Sequence, residues 1–217
     1  MCAVRIMIAD DHAIVRRGLR SLLESQQGWE VCAEASNGLE AVESVERFQP
    51  EVAIVDIGMP ELNGLEAARR ILKSCPKTEV LILTMHQSEE VVTEVLKAGV
   101  RGYVLKSDAD RNLIAAVEAL LQHRPFLTSG VTDVVLSEFL NSRTAPPGAP
   151  LFAKVTQRER EIIQLLSEGK SNKEVAAVLN VSTRTVETHR ANIKHKLALN
   201  SLSDIVHYAI RNKIVDP

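Results

Sequence analysis

Residues 52–64 read VAIVDIGMPELNG. Four apolar, largely β-branched residues end in one acid, Asp56, and a segment containing Gly58, Pro60, Asn63 and Gly64 follows. A run this short, bounded by turn-forming residues, predicts a buried strand at Val52–Val55. The amphipathic stretch Gly64–Ser74 then predicts a helix. The same alternation extends in both directions. Strands are predicted at Arg5–Ala9, Glu30–Ala35, Glu79–Thr84 and Gly102–Leu105, with helices at Ile14–Ser25, Leu39–Phe48, Glu89–Ala98 and Asp110–Leu121. Strands separated by helices imply an α/β domain, a five-stranded, doubly wound parallel sheet covered on both faces.

The pattern stops near residue 122. Residues 141–150, NSRTAPPGAP, carry Pro146, Pro147, Gly148 and Pro150 and can extend neither helix nor strand. Three parts are expected: a domain over residues 1–122, a linker over 123–150 with a helix at about 129–140, and a second domain over 151–217. The last shows four helical patterns, Thr156–Ser167, Asn172–Leu179, Thr183–Leu197 and Leu202–Arg211, and no strand. Charge divides the same way. Residues 1–150 hold 15 Lys and Arg against 21 Asp and Glu, whereas residues 151–217 hold 11 against 7. An acidic front and a basic back point to separate tasks.

The 217-residue chain is 45% hydrophobic and 25% charged, as in globular proteins. It has no apolar run of about 18 residues, so neither a membrane span nor a signal peptide is expected, and the cytoplasm is the expected compartment. Cys2, Cys32 and Cys75 form no CxxC pair and are read as free thiols.

The chemistry sits where the strands end. In an open parallel sheet, ligands bind beyond the carboxyl ends of the strands. Strand one ends in Asp10 and Asp11, strand three in Asp56 and strand four in Thr84, and Lys106 follows strand five. Taken singly, each acid is an ordinary helix cap or turn former, and Thr84 and Lys106 are ordinary strand-end groups. Together they make three carboxylates in one small site, each pair repelling by about 4 kcal/mol at 4 Å and an effective dielectric near 20. Oxygen donors without a paired His or Cys favour Mg²⁺. His12 and His86 lie alongside without ligand spacing and are assigned to no metal. A carboxylate can accept a phosphoryl group, and Asp56 is the best candidate acceptor. Tyr103 reads as a half-buried aromatic with a wet hydroxyl.

The motifs IADDH, VDIGMPELNGLE, LILTMH and AGVRGYVLKS resemble the receiver domain of two-component response regulators over residues 4–121. The resemblance implies the flavodoxin-like strand order 2-1-3-4-5, phosphorylation of Asp56 by a sensor histidine kinase, and Mg²⁺ held by Asp11, Asp56 and the Gly58 carbonyl, with Asp10 acting through water. It further implies that Thr84 and Lys106 grip the phosphoryl group, and that Thr84 and Tyr103 form a switch in which the ring turns inward. Gly58, two residues past the acceptor, has no side chain to shield the acyl phosphate. An unusually long phosphorylated lifetime is therefore not expected.

In the basic domain, Asn172–Leu179 and Thr183–Leu197 flank a short turn with Ser182 as N-cap, a helix-turn-helix pattern. On the second helix, Val186, Ile193 and Leu197 form an inner stripe bordered by His189 and Arg190. The opposite face carries Arg184, Thr188, Ala191 and His195, flanked by Glu187 and Lys194. Small Thr188 and Ala191 suit thymine methyls, Glu187 can accept from cytosine, and Arg184, Lys194 and the earlier Lys173 can reach phosphates. A merely solvated helix face is the plainer alternative. VTQREREIIQLL, EGKSNKEVA and VSTRTVETHRANIKHKL resemble the LuxR-type DNA-binding domain, and the whole chain resembles the NarL/FixJ branch of response regulators. That implies a regulator of transcription that binds double-stranded promoter DNA, with a dimer expected. The last helix offers Leu202, Ile205, Val206 and Ala209 on one broad apolar face, read as partly core and partly dimer contact. The base-facing positions Glu187 and Ala191 stand where some relatives have lysine, so operator sequence does not transfer. Two rival functions are a Mg²⁺-dependent phosphohydrolase with Asp56 as nucleophile, for which no general acid or substrate pocket is seen, and a DNA binder indifferent to phosphate. The expected function is regulation, not enzymatic turnover.

Overall fold

The computed structural model describes residues 3–85, 89–128, 155–197, 199, 201–212 and 214–215. They form two compact units.

The first unit is built on β1 (Val4–Ala9), α1 (Ala13–Glu24), β2 (Trp29–Ala35), α2 (Gly38–Phe48), β3 (Val52–Val55), α3 (Gly64–Ser74), β4 (Glu79–Thr84), α4 (Glu89–Lys97), β5 (Gly102–Leu105), a 3-10 turn (Lys106–Asp108), α5 (Ala109–Leu121) and β6 (Phe126–Leu127). All strand pairs are parallel, in the order β2-β1-β3-β4-β5-β6. The doubly wound sheet is thus as expected, with one strand more. Residues 123–128 belong to this unit and not to the linker: β6 pairs with β5 at Gly102 and Tyr103. The Thr128 amide donates to the Tyr103 carbonyl at 3.2 Å. The rest of the expected linker, including the helix at 129–140, lies outside the described residues.

β3 and β5 are buried along their whole length, as parallel strands covered on both faces must be. One core joins Ile6, Ile8, Leu19, Leu23, Ile54, Leu81, Leu83, Val104, Leu113, Val117 and Leu120. Burying such side chains contributes roughly 1.5–3 kcal/mol each.

Gly64 is required where it stands. A Cβ there would lie 1.8 Å from the Asp56 carbonyl oxygen, so any side chain would force α3 away from the loop that follows β3.

The second unit holds α6 (Gln157–Ser167), α7 (Asn172–Val178), α8 (Thr183–Leu197) and α9 (Leu202–Arg211). Three of these helices start in capping boxes, formed by Thr156 with Glu159, Ser171 with Glu174, and Ser201 with Asp204. Each box satisfies two otherwise orphaned amides. Ser182 caps α8, its hydroxyl accepting from the Thr185 amide at 3.0 Å. Asn180, in the turn before it, takes φ 50°, a left-handed conformation that asparagine tolerates better than most residues. Ile162, Leu165, Leu166, Val175, Val186, Ile193, Ile205 and Ala209 form the core.

Candidate phosphoacceptor site and nucleic-acid interface

Three strand ends bring the acids and the lysine together. Asp10 follows β1, and its amide donates to the Ala35 carbonyl on β2 at 3.2 Å. Asp56 follows β3, its amide donating to the Ala9 carbonyl at 2.9 Å. Lys106 opens the 3-10 turn after β5. Its Nζ lies 2.7 Å from Asp10 Oδ2 and 2.7 Å from Asp56 Oδ2. Asp10 is only 1% exposed, so this ammonium balances two acids that water hardly reaches.

Asp11 is turned to the solvent side, with Oδ1 at 2.6 Å from His12 Nδ1. The same nitrogen is 3.4 Å from Asp10 Oδ1. His12, which the sequence assigned to no metal, therefore joins the acids: one donor atom each from Asp10, Asp11 and His12 lies within 4.8 Å of the others. The signal for it was adjacency alone, since neighbouring residues at a strand end share one rim. His86 lies outside the described residues.

Burial pushes the Asp56 carboxyl upward. Lys106 opposes this by hydrogen bond and charge, and the nearby Asp10 charge adds to the rise. Burial also disfavours the Lys106 ammonium, but the hydrogen bonds and charges of Asp10 and Asp56 outweigh it and raise the amine. An acid made costly by burial and tied to one cation is suited to exchange its lysine contact for new partners.

Thr84 ends β4 and is fully buried, as is Tyr103 on β5. The tyrosine was expected to be half-buried with a wet hydroxyl. Its ring is instead 0% exposed, and burial raises its hydroxyl well above the usual range. Gly58 lies two residues past Asp56 in the loop.

In the second unit, Arg184, Glu187, Thr188 and Ala191 are exposed on α8, and Lys173 is exposed on α7. Val186 and Ile193 are buried beneath them, and Leu197 packs against that core, giving α8 the inner stripe read from the sequence. Lys194 is half-buried. The His195 side chain lies outside the described residues. Asn192 is exposed as well; the sequence reading passed over it, although it lies four residues from Thr188 and so on the same helix face. The Thr188 hydroxyl donates to the Arg184 carbonyl at 3.0 Å, so its one proton is committed within the helix.

Polar contacts hold α8 from within the unit. Lys196 Nζ reaches both oxygens of Glu159, at 2.8 and 2.7 Å. Arg190 Nη1 donates to Asn172 Oδ1 at 3.2 Å. Burial would raise the Glu159 carboxyl, but hydrogen bonds from Lys196 and Thr156 outweigh it and hold the group below its ordinary range.

The apolar face of α9 divides between core and surface. Ile205 and Ala209 are fully buried in the core of their own unit, so they are spent on folding. Of the four expected dimer contacts, Leu202, 43% exposed, and half-buried Val206 keep accessible surface.

Residues 6–118 match the family described as the response regulator receiver domain. Residues 153–209 match the luxR family of bacterial regulatory proteins. Along the whole chain, the Oxygen regulatory protein NreC of Staphylococcus carnosus is 39% identical over 216 residues, covering 98% of this chain and 100% of that one. The chain belongs to the LuxR-type response regulators. Two structures of the response regulator RcsB are similar to this regulator. One is its complex with DNA, 26% identical, with TM-score 0.59 over 95% of this chain and 97% of that one. The other holds two RcsB dimers on two parallel DNAs, 25% identical, with TM-score 0.59 and the same coverage.

Response regulators of this type are phosphorylation-controlled transcription regulators and not enzymes, which removes the phosphohydrolase alternative. A receiver domain implies a kinase as partner, and receivers bind Mg²⁺ at an acidic pocket. The pocket here fits that ion. Asp10, Asp11 and His12 offer donor atoms within 4.8 Å of one another, and Lys106 lies 2.7 Å from both Asp10 and Asp56, so the carboxylate oxygens outnumber the lysine that balances them. No described helix is long and apolar enough to cross a membrane.

Proposed function

We propose that Asp56 is the residue that takes the phosphoryl group, from a phosphohistidine of a sensor kinase, and that this event controls binding of α8 to promoter DNA in the cytoplasm. The observation that carries the reading is Lys106 Nζ at 2.7 Å from both Asp10 and Asp56. A carboxylate oxygen of Asp56 attacks phosphorus, the P–N bond breaks, and the imidazole keeps the bonding pair and takes up a proton. Asp10, Asp11, Asp56 and the Gly58 carbonyl would hold Mg²⁺, which neutralises charge on the phosphoryl oxygens. Lys106, already between two acids, neutralises a further phosphoryl oxygen, and the Thr84 hydroxyl donates to another. Thr84 moves toward the phosphoryl group, and buried Tyr103 fills the space it leaves.

On DNA, α8 enters the major groove. Thr188 and Ala191 meet thymine methyls, Glu187 accepts from cytosine, and Lys173, Arg184 and Lys194 contact phosphates. The structure of two RcsB dimers on two parallel DNAs supports a dimeric mode; Leu202 and Val206, which keep accessible surface on α9, are the contacts proposed for it.

Incubation with acetyl phosphate and Mg²⁺ tests the first half: one phosphoryl group per chain is expected by mass spectrometry, and none on Asp56→Asn. For the second half, affinity for a promoter fragment rises with phosphodonor in the wild type only. If about six phosphates are neutralised, log affinity falls with log salt at a slope near −5. A flat salt curve, or equal affinity for wild type and Asp56→Asn under phosphodonor, rejects DNA control by Asp56.

A further inference from the structure

We propose that Arg16 is a positioning residue for the metal-holding acids, acting through the backbone of Asp10. The inference rests on the reading of Asp10 and Asp11 as the acids that hold Mg²⁺. Arg16 lies on α1 and is largely shielded from water, its side chain 17% exposed. Its Nη1 donates to the Asp10 carbonyl at 2.6 Å and its Nε to Glu34 Oε2 on β2 at 3.2 Å. One planar guanidinium thus joins the end of β1 to the end of β2, and a rigid fork of donors suits that task better than an ammonium.

The contact bears on Asp11 through peptide geometry. The Asp10 carbonyl and the Asp11 amide belong to one planar unit, so holding the oxygen fixes the direction in which the chain leaves β1 and the place where the Asp11 Cα stands. The other polar atoms of Asp10 are engaged elsewhere: its amide with Ala35, Oδ1 with the His12 amide at 2.8 Å, and Oδ2 with Lys106. Asp11 is exposed, and the ring beside it, His12, is more exposed still, its side chain at 68%. Asp11 is thus flanked by two part-buried bonds, Arg16 to the carbonyl before it and the amide of His12 after it to Asp10 Oδ1, and of these only the first reaches in from α1.

Arg20, one turn further along α1, provides an internal comparison. It also binds Glu34, with Nε at 2.7 Å from Oε1, and it reaches Glu24 and the Val31 carbonyl. It makes the same kind of ion pair on the same strand without touching Asp10. A role limited to tying α1 to β2 is therefore shared by both arginines, whereas a role in placing the acids belongs to Arg16 alone. The sign of the effect also separates geometry from charge. An arginine acting near a cation site only as a charge repels a divalent ion, so its removal would tighten binding.

The test is calorimetric titration of the full chain with MgCl2, for wild type, Arg16→Met, Arg20→Met and Glu34→Gln. Outer partners of metal ligands are worth about 10–100-fold in metal affinity. Arg16→Met is expected to weaken Mg²⁺ binding about tenfold, with the lost phosphorylation rate from acetyl phosphate restored at saturating Mg²⁺. Arg20→Met is expected to bind Mg²⁺ as the wild type does. Glu34→Gln keeps the guanidinium but loosens its second anchor, and is expected to fall between; it serves alone if Arg16→Met does not fold, as judged by Trp29 fluorescence. Unchanged or tighter binding by Arg16→Met, equal losses in Arg16→Met and Arg20→Met, or, where Glu34→Gln stands alone, wild-type affinity in that variant, overturns the inference while leaving Mg²⁺ at the pocket intact. No heat of Mg²⁺ binding in the wild type overturns the metal reading and this inference with it.

Discussion

The pocket beyond β1, β3 and β5 and the base of α6 both hold buried acids facing a lysine, and they use them in opposite ways. At the base of α6, Glu159 spends one carboxylate on a capping box and on Lys196, and its pKa is held down. In the pocket, two acids share Lys106 while a third stands at the rim, and the Asp56 pKa is pushed up. A carboxylate with its own cation and its own amide donor fastens a fold. Carboxylates that outnumber their cation form a site that a ligand can complete.

Four substitutions sharpen that contrast. The largest effect is on chemistry: Asp56→Asn is expected to abolish phosphoryl uptake, read by mass spectrometry, while Glu159→Gln leaves uptake at the wild-type level. Next, Lys106→Met leaves Asp10 and Asp56 without their cation and is expected to destabilise the receiver by about 3 kcal/mol. Urea unfolding followed by Trp29 fluorescence reads this unit alone, since the chain has 1 Trp. Adding Asp56→Asn to Lys106→Met should recover part of the loss; no recovery would break the account of the pocket as an excess of acid. Third, Glu159→Gln is expected to cost about 1–2 kcal/mol in the second unit, through a weakened cap and a lost charged hydrogen bond. Faster hydrogen exchange along residues 183–197 with an unchanged Trp29 transition would show it. The pH dependence follows in sign. Because the folded carboxyl lies below its ordinary 4.5, its contribution is present above that pH and is lost as pH falls through the folded value. The exchange difference between wild type and Glu159→Gln should therefore close in acid. The smallest effect is on DNA: Lys173→Ala should lower the magnitude of the salt slope by about 1 without changing which sequence is preferred.

Much of this was legible because strands buried on both faces announce themselves. Val52–Val55, Glu79–Thr84 and Gly102–Leu105 begin and end where the apolar runs do. β6 was not legible: two residues after a proline carry no alternation, and only the neighbouring β5 makes Phe126 and Leu127 a strand. The acids and Lys106 could be grouped from the sequence, since each ends or follows a strand of one sheet. Arg16 could not, because nothing in a helix pattern says that one of the three arginines of α1 reaches a backbone carbonyl just past the preceding strand. The apolar face of α9 was visible too. Whether Ile205 and Ala209 face inward or toward a second copy depends on α6, which packs against α9, and a single helix pattern does not encode its neighbour.

The two rims of the sheet are guarded differently. β2 closes one side as a charged edge strand, with the Glu30 side chain 55% exposed and Glu34 held by Arg16 and Arg20. β6 closes the other by covering Gly102 and Tyr103 with only two residues of its own, an extension too short to template the growth of a further sheet. Removing residues 126–127 would uncover the hydrogen-bonding groups of β5, and the outcome to watch for is loss of solubility through strand-to-strand aggregation.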